Sequence, residues 1–276
     1  MNIAIVGLGL VGGSVAKSLK GFKNANVFGI DTNEKTLEKA KADEVIEDGF
    51  TSANNILDKI DLTIICVYPQ ALVKFINENA NLFKPGSIVL DMAGVKEYVM
   101  EAAKESGITE KVNFIGGHPM AGREVGGYEN SLDTLFKGSG FLIVPDENAT
   151  TESVETVKDA LKFMGFTSIK VTTAREHDET IAFTSQILHV IAVALSKNEY
   201  YYSDKAFKGG SFRDYTRIAL INESLWSETL MENRKYLLKR IDEFEEEIRI
   251  IKQVLLDGDK LTLRNILKND RLINED

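Results

Sequence analysis

Through the first part of the chain, short apolar runs rich in β-branched residues alternate with longer amphipathic stretches. Ile3–Val6, Asn26–Ile30, Leu62–Val67, Ser87–Leu90 and Val112–Ile115 are bounded by Gly, Asp or Pro and predict strands. Val11–Lys20, Glu34–Lys41, Gln70–Asn79 and Lys96–Ser106 lie between them with helical spacing and length. Apolar strands separated by helices imply βαβ units, and hence a mostly parallel, doubly wound sheet covered on both faces. Gly140–Val144, Glu152–Met164 and Thr167–Val171 continue the pattern with a strand, a helix and a strand.

After Thr173 the strand signals stop. Glu176–Asn198 predicts one long helix whose later part, Ile187 to Leu195, is apolar nearly all round and is therefore expected inside a bundle. Leu237, Ile241, Phe244, Ile248, Ile251 and Leu255 recur at alternating spacings of four and three, a coiled-coil-like seam that can pack within the chain or against another subunit. Gly258 is placed to end that helix. The pattern predicts an α/β domain over residues 1–173 followed by an all-helical domain over residues 174–276.

Composition narrows the function classes. The chain has 276 residues, 43% hydrophobic and 27% charged, and a formal net charge of −9. That charge argues against general affinity for nucleic acid or an anionic membrane, although a local arginine can still hold a small anion. No run of about 20 apolar residues marks a membrane span. The opening Met1-Asn2-Ile3-Ala4-Ile5-Val6 lacks a basic segment and reads as a strand rather than a signal peptide. Cys66 is the sole cysteine, so no internal disulfide is expected, and no metal site is expected. A cytoplasmic protein fits these features.

The turn after the first strand carries chemistry. Gly7-Leu8-Gly9-Leu10-Val11-Gly12 opens the first helix, and Asp31 closes the second strand 19 residues after Gly12. Gly7 permits a tight turn, Gly9 lets backbone approach a pyrophosphate, and Gly12 allows close helix–sheet packing. The helix N-terminus offers unpaired N–H groups to phosphates. Asp31 suits the adenine-ribose hydroxyls and repels a 2′-phosphate, so NAD is expected rather than NADP. No second flavin-type segment follows, which disfavours FAD. The domain is expected to be Rossmann-type.

The three histidines are His118, His177 and His189. His118 lies in "GGHPMAGRE" after a strand-like run, on what reads as a glycine-shaped loop at the carboxyl end of a parallel strand. A neutral imidazole there, with an ordinary pKa near ~6.5, is available as a base. His177, Ser185 and His189 fall within roughly 120° of one face of the predicted long helix. Arg213 and Arg217 sit one turn apart further on, and an arginine fork suits a carboxylate.

Together, "GLGLVGGS" at 7–14, "DMAGVKE" at 91–97, "GGHPMAGRE" at 116–124, "EHDETIAFTSQILHVIA" at 176–192 and "GGSFRDYTRIA" at 209–219 resemble prephenate dehydrogenases. The resemblance spans both parts of the chain in order, at least to Trp226. It implies a dinucleotide-binding domain and a helical dimerisation domain with a cleft between them. The implied reaction is NAD-dependent oxidative decarboxylation of prephenate to 4-hydroxyphenylpyruvate in tyrosine biosynthesis. By that resemblance His118 takes the proton of the ring hydroxyl, and Arg217 holds a substrate carboxylate. His189, Ser185, His177, Gly210 and Trp226 line the pocket, and Glu124 gates or polarises the cleft.

One position departs from the family. Where many members carry serine in a D-x-G-S-V-K segment, this chain has Gly94. The resemblance also implies the monofunctional form and a homodimer. Residue types alone do not separate prephenate from arogenate, which carries an amino group in place of the keto group. Tyrosine is a candidate feedback inhibitor if it fits the same pocket. Two other readings stay open: a two-domain hydroxyacid-type dehydrogenase, for which Lys197 is the one lysine on the long helix, and a non-catalytic NAD-binding sensor.

Overall fold

The computed structural model describes residues 1–123, 125–202 and 204–273. The chain opens with β1 (Asn2–Val6), α1 (Leu10–Ser18), β2 (Asn26–Ile30), α2 (Glu34–Ala42) and β3 (Asp48–Phe50). It continues through β4 (Leu62–Ile65), α3 (Pro69–Asn79), β5 (Ile88–Asp91), α4 (Glu97–Glu105) and β6 (Asn113–Pro119). β7 (Gly140–Pro145), α5 (Thr151–Phe163) and β8 (Ser168–Val171) complete the sheet. Its order is β3-β2-β1-β4-β5-β6-β7-β8, parallel throughout except where β6 meets β7. Strand order reverses between β1 and β4, and open sheets of this kind bind ligands outside the strand carboxyl ends at such a point.

Side-chain alternation along the strands builds two cores. Ile3 and Ile5 of β1 face a cluster with Leu8, Val15 and Leu19, whereas Ala4 and Val6 face Ile65, Leu72 and Ile76. Ile3, Ala4, Ile5 and Val6 are all essentially fully buried, as a central strand covered on both faces requires. Asn33 and Thr150 cap α2 and α5 by accepting backbone N–H bonds from Lys35 and Ser153.

Two elements differ from the sequence reading. β3 has only Asp48, Gly49 and Phe50, too short and too polar to show a strand pattern, and is set by pairing with β2. β6 runs on to Pro119, so His118 is a strand residue paired with Leu142 and not a loop residue. Gly116, Gly117 and Pro119 depress strand propensity, but the antiparallel neighbour β7 holds them extended.

Thr173 accepts an N–H bond from Glu176 and caps the first helix after the sheet. That helix is interrupted: α6 (Ala174–Ile181) and α7 (Ile187–Ser196) flank a π-helical turn at Ala182–Gln186. Then come α8 (Gly210–Arg217), α9 (Glu223–Glu232), α10 (Arg234–Leu256) and α11 (Lys260–Ile273). By length and composition alone Ala174–Ser196 could cross a membrane. Here it packs on α4, α8 and α10.

The expected burial of Ile187–Leu195 inside a bundle is met only in part. Ile187 and Ala192 are buried, but Leu188 and Leu195 are 43% and 48% exposed. The α10 seam is similar: Leu237 is buried, while Ile248 and Leu255 are 48% and 61% exposed. Among the described residues, both apolar faces are left partly exposed.

Candidate active site

At the β1–α1 turn each glycine has its own steric reason. Gly7 has φ +83°, a left-handed conformation that favours glycine, and its N–H donates to Ile30 O at 2.8 Å. A Cβ on Gly12 would lie 1.8 Å from Gly7 O, so only glycine lets α1 pack here. A Cβ on Gly9 would meet nothing within 4 Å, leaving an open approach for a phosphate at the start of α1. Leu8 and Leu10 bury their side chains, and Val11 is half-buried. The Leu8 N–H is already taken by Asp31 Oδ2 at 2.7 Å, so Leu8 shapes the turn and does not donate to a ligand. Asp31 Oδ1 accepts from Asn33 N at 2.8 Å. These bonds fix the carboxylate at the end of β2, where each oxygen keeps a further lone pair. The turn fits a dinucleotide.

At the other end of the site, β6 carries His118 past the end of β5. Gly117 is required, because a Cβ there would lie 2.5 Å from Asp91 O and 2.7 Å from the Phe141 ring. A Cβ on Gly116 would press on Met100 and on the buried stem of Lys96. The two glycines therefore let β6 lie against a buried Asp91–Lys96 ion pair with no exposed surface on either side chain. Asp91 also accepts from Ala93 N at 2.8 Å and from Gly117 N at 3.4 Å. Burial pushes the Asp91 carboxyl up and the Lys96 amine down, and each partner counteracts the other's shift.

His118 Nδ1 lies 2.8 Å from His177 Nε2, and His177 Nδ1 lies 2.7 Å from Asp178 Oδ1. Asp178 accepts from Lys96 N and Glu97 N, both at 2.8 Å, at the start of α4. Burial, then the neighbouring His177 and Lys96, pull the His118 pKa well below its ordinary value. His177 is also lowered, mainly by burial, with Asp178 opposing. The His118 Nε2 side turns toward Gly94 and α9: a Cβ on Gly94 would sit 3.6 Å from Nε2 and 3.7 Å from Thr229 Cγ2.

His177 was expected to line the pocket. It is 1% exposed and stands behind His118 instead. The π turn lies between it and His189, so uniform helical spacing does not put His177, Ser185 and His189 on one face. Ser185 is within that turn and half-buried. His189 Nδ1 is 2.8 Å from Ile218 O, and its ring centroid is 3.8 Å from that of Trp226. Trp226 and Thr229 are one turn apart on α9, which therefore reaches both His189 and the His118–Gly94 neighbourhood.

Arg217 ends α8 and immediately precedes the Ile218 carbonyl bonded by His189, so it lies at the same group of residues. Gly210 begins that helix, with open space where a side chain would stand. Arg213 is one turn before Arg217. Glu124 lies outside the described residues. Asp178, Lys96, Asp91 and Asn233 were not singled out from sequence. Asn233 is buried and donates to Asp178 O at 3.0 Å and to Gln186 Oε1 at 2.7 Å, spanning the π turn. The adjacency of His177 and Asp178 in "EHDET" was the available signal. Nothing in the sequence pattern marked Asn233.

Residues 15–186 match the family model for the prephenate dehydrogenase nucleotide-binding domain, and residues 173–269 match that for the prephenate dehydrogenase dimerization domain. The chain belongs to the prephenate dehydrogenase family. It is an NAD-dependent oxidoreductase. Among its relatives, a prephenate dehydrogenase of Bacillus subtilis (strain 168) is 27% identical over 97% of this chain and 73% of its own length. A cyclohexadienyl dehydrogenase of Zymomonas mobilis is 28% identical over 94% of this chain and 91% of its own. A crystal structure of prephenate dehydrogenase from A. aeolicus, in complex with hydroxyphenyl propionate and NAD+, superposes with a TM-score of 0.89. It is 27% identical and covers 99% of this chain and 96% of that one.

Proposed function

We propose that this chain converts prephenate to 4-hydroxyphenylpyruvate with NAD, a step of tyrosine formation in the cytoplasm. The observation that carries the reading is His118. Its imidazole is kept from protonating by its surroundings, with Nδ1 tied to His177 and Nε2 turned toward Gly94 and α9. Such a group is in its base form at neutral pH, with Nε2 open to a proton from the substrate hydroxyl.

In this reading residues 1–173 hold the dinucleotide through the Gly7–Gly12 turn and Asp31. NAD bound there supplies the hydride acceptor. His118 accepts the proton of the ring hydroxyl as hydride leaves the same carbon, and loss of the ring carboxylate as carbon dioxide leaves an aromatic ring. Arg217 holds a substrate carboxylate by charge-assisted hydrogen bonds. His189, Ser185, Gly210 and Trp226 shape the pocket around it. Gly94 leaves room beside Nε2, where a serine side chain would fit without displacing backbone.

Residues 174–276 pair two copies through the exposed apolar residues of α7 and α10, in keeping with the dimerization-domain match. The direct test is NADH absorbance when prephenate is added to the purified protein with NAD, with NADP in parallel. Arogenate as alternative substrate and tyrosine as competitor belong in the same assay. Absence of NADH formation with either cofactor and either substrate would overturn the reading.

A further inference from the structure

A neutral imidazole carries its single proton on one nitrogen or the other, and only the bare nitrogen is a base. For the reaction proposed above, which this inference presupposes, His118 must keep Nε2 bare and hold its proton on Nδ1. We infer that His177 and Asp178 are positioning residues that lock His118 in this tautomer, and that they do so from the helical part of the chain.

The direction of each bond follows from chemistry. The Asp178 carboxylate accepts two backbone N–H groups at the start of α4, each at 2.8 Å, where the helix end favours negative charge. It is therefore an acceptor for its third contact, and His177 Nδ1 at 2.7 Å must be the donor. A neutral His177 then presents Nε2 as an acceptor, and His118 Nδ1 at 2.8 Å must donate to it. The proton of His118 is thereby placed on the nitrogen away from Gly94, and the lone pair on Nε2 is left for the substrate. A charged His177 would reverse this, since both of its nitrogens would donate and His118 would be forced to carry its proton on Nε2.

Two features keep His177 neutral and still. It is 1% exposed, and burial disfavours its charged form. The Asn233 side chain, at the junction of α9 and α10, donates to the backbone carbonyl of Asp178 and holds α6 in place. When His118 takes a proton on Nε2, its Nδ1–H bond to His177 needs no rearrangement, so the site is already arranged for the charged state.

The test is nitrogen-15 NMR of histidine-labelled protein without substrate, with the His118 signals assigned by their loss in His118→Asn. The expected spectrum shows Nδ1 protonated and Nε2 bare. In His177→Phe the acceptor is removed, so the fixed tautomer should be lost and kcat should fall by about 10²–10⁴ with little change in KM. In His177→Gln the amide oxygen can accept the Nδ1–H, and both the tautomer and part of the rate should return. A wild-type His118 protonated on Nε2 would overturn the inference, whether or not the variants fold. So would a His177→Phe protein with an unchanged tautomer and kcat. If the expected tautomer is found but neither prephenate nor arogenate is oxidised, the substrate reading fails and the tautomer lock stands.

Discussion

Asp91 and Lys96 form an ion pair with no exposed surface directly behind the strand that bears His118. Such a pair contributes little net stability, but removing one partner leaves a buried charge and costs about 3–5 kcal/mol. Lys96→Met should therefore destabilise the protein by about that much in denaturant titration. Replacing both residues with apolar ones should recover much of the loss. A Lys96→Met protein as stable as the parent would mean that the Asp91 carboxylate is already neutral.

His118 and His177 both have pKa values below the ordinary imidazole value. The base stays neutral well into the acid range, so the acid limb of kcat/KM should fall below pH 6.5 in the parent and vanish in His118→Asn. That variant should lose about 10²–10⁴ in kcat while NAD binding survives. Stability follows the same sign. The unfolded chain binds protons on these histidines near pH 6.5, whereas the folded chain resists them. Their contribution is present above pH 6.5 and is lost as pH falls from there through the lowered folded values. Denaturation midpoints measured from pH 7.5 down to 5 should decline; a flat profile would show that these side chains titrate normally.

Arg217→Ala should raise KM for the substrate and leave NAD affinity nearly unchanged. One lost charge-assisted hydrogen bond is worth about 1.5–3 kcal/mol. Arg213→Ala should have the smaller effect, and steady-state kinetics giving the reverse order would move the carboxylate contact one turn back along α8.

NAD should be preferred over NADP by at least about tenfold in kcat/KM, because Asp31 opposes a 2′-phosphate with like charge. Asp31 is also bonded to the Leu8 and Asn33 N–H groups. Asp31→Asn should thus narrow the preference and also weaken NAD itself. Equal use of both cofactors by the unchanged protein would remove Asp31 from the discrimination.

Ile248→Asp on the exposed α10 seam should convert a dimer to a monomer in sedimentation at micromolar concentration. A parent that already sediments as a monomer would refute the pairing proposed for this surface.

The strands were legible where both faces are apolar, as in Ile3–Val6 and Val27–Ile30, because parallel strands covered on both faces bury most of their residues. The glycine turn and Asp31 were legible because their spacing is dictated by steric contacts within a single β-α-β unit. The end of β6 was not, since Gly116, Gly117 and Pro119 are there for contacts with Asp91, Lys96 and Phe141, and local propensity points the other way. The place of His177 depended on a π turn that no residue type announces. Asn233 acts on Asp178 across 55 positions of sequence, a relationship only the fold creates. The exposure of Ile248 and Leu255 was ambiguous for another reason: a heptad seam reads the same whether its partner lies in the same chain or in a second copy.

The neighbouring residues His177 and Asp178 face opposite duties, one supporting the imidazole on β6 and the other closing the end of α4. This couples the two halves of the chain at the level of inheritance as well as of structure. A sheet of this type is readily recombined with new partners, since its dinucleotide turn is complete within β1, α1 and β2. Its base is not complete in that sense. A recombinant that kept residues through β8 and acquired a different helical portion would retain a place for the cofactor but inherit an unsupported histidine. Exchange between lineages should therefore preserve the junction from β6 to α6 as one block, and chimeras joined at Thr173 should bind NAD without turning over.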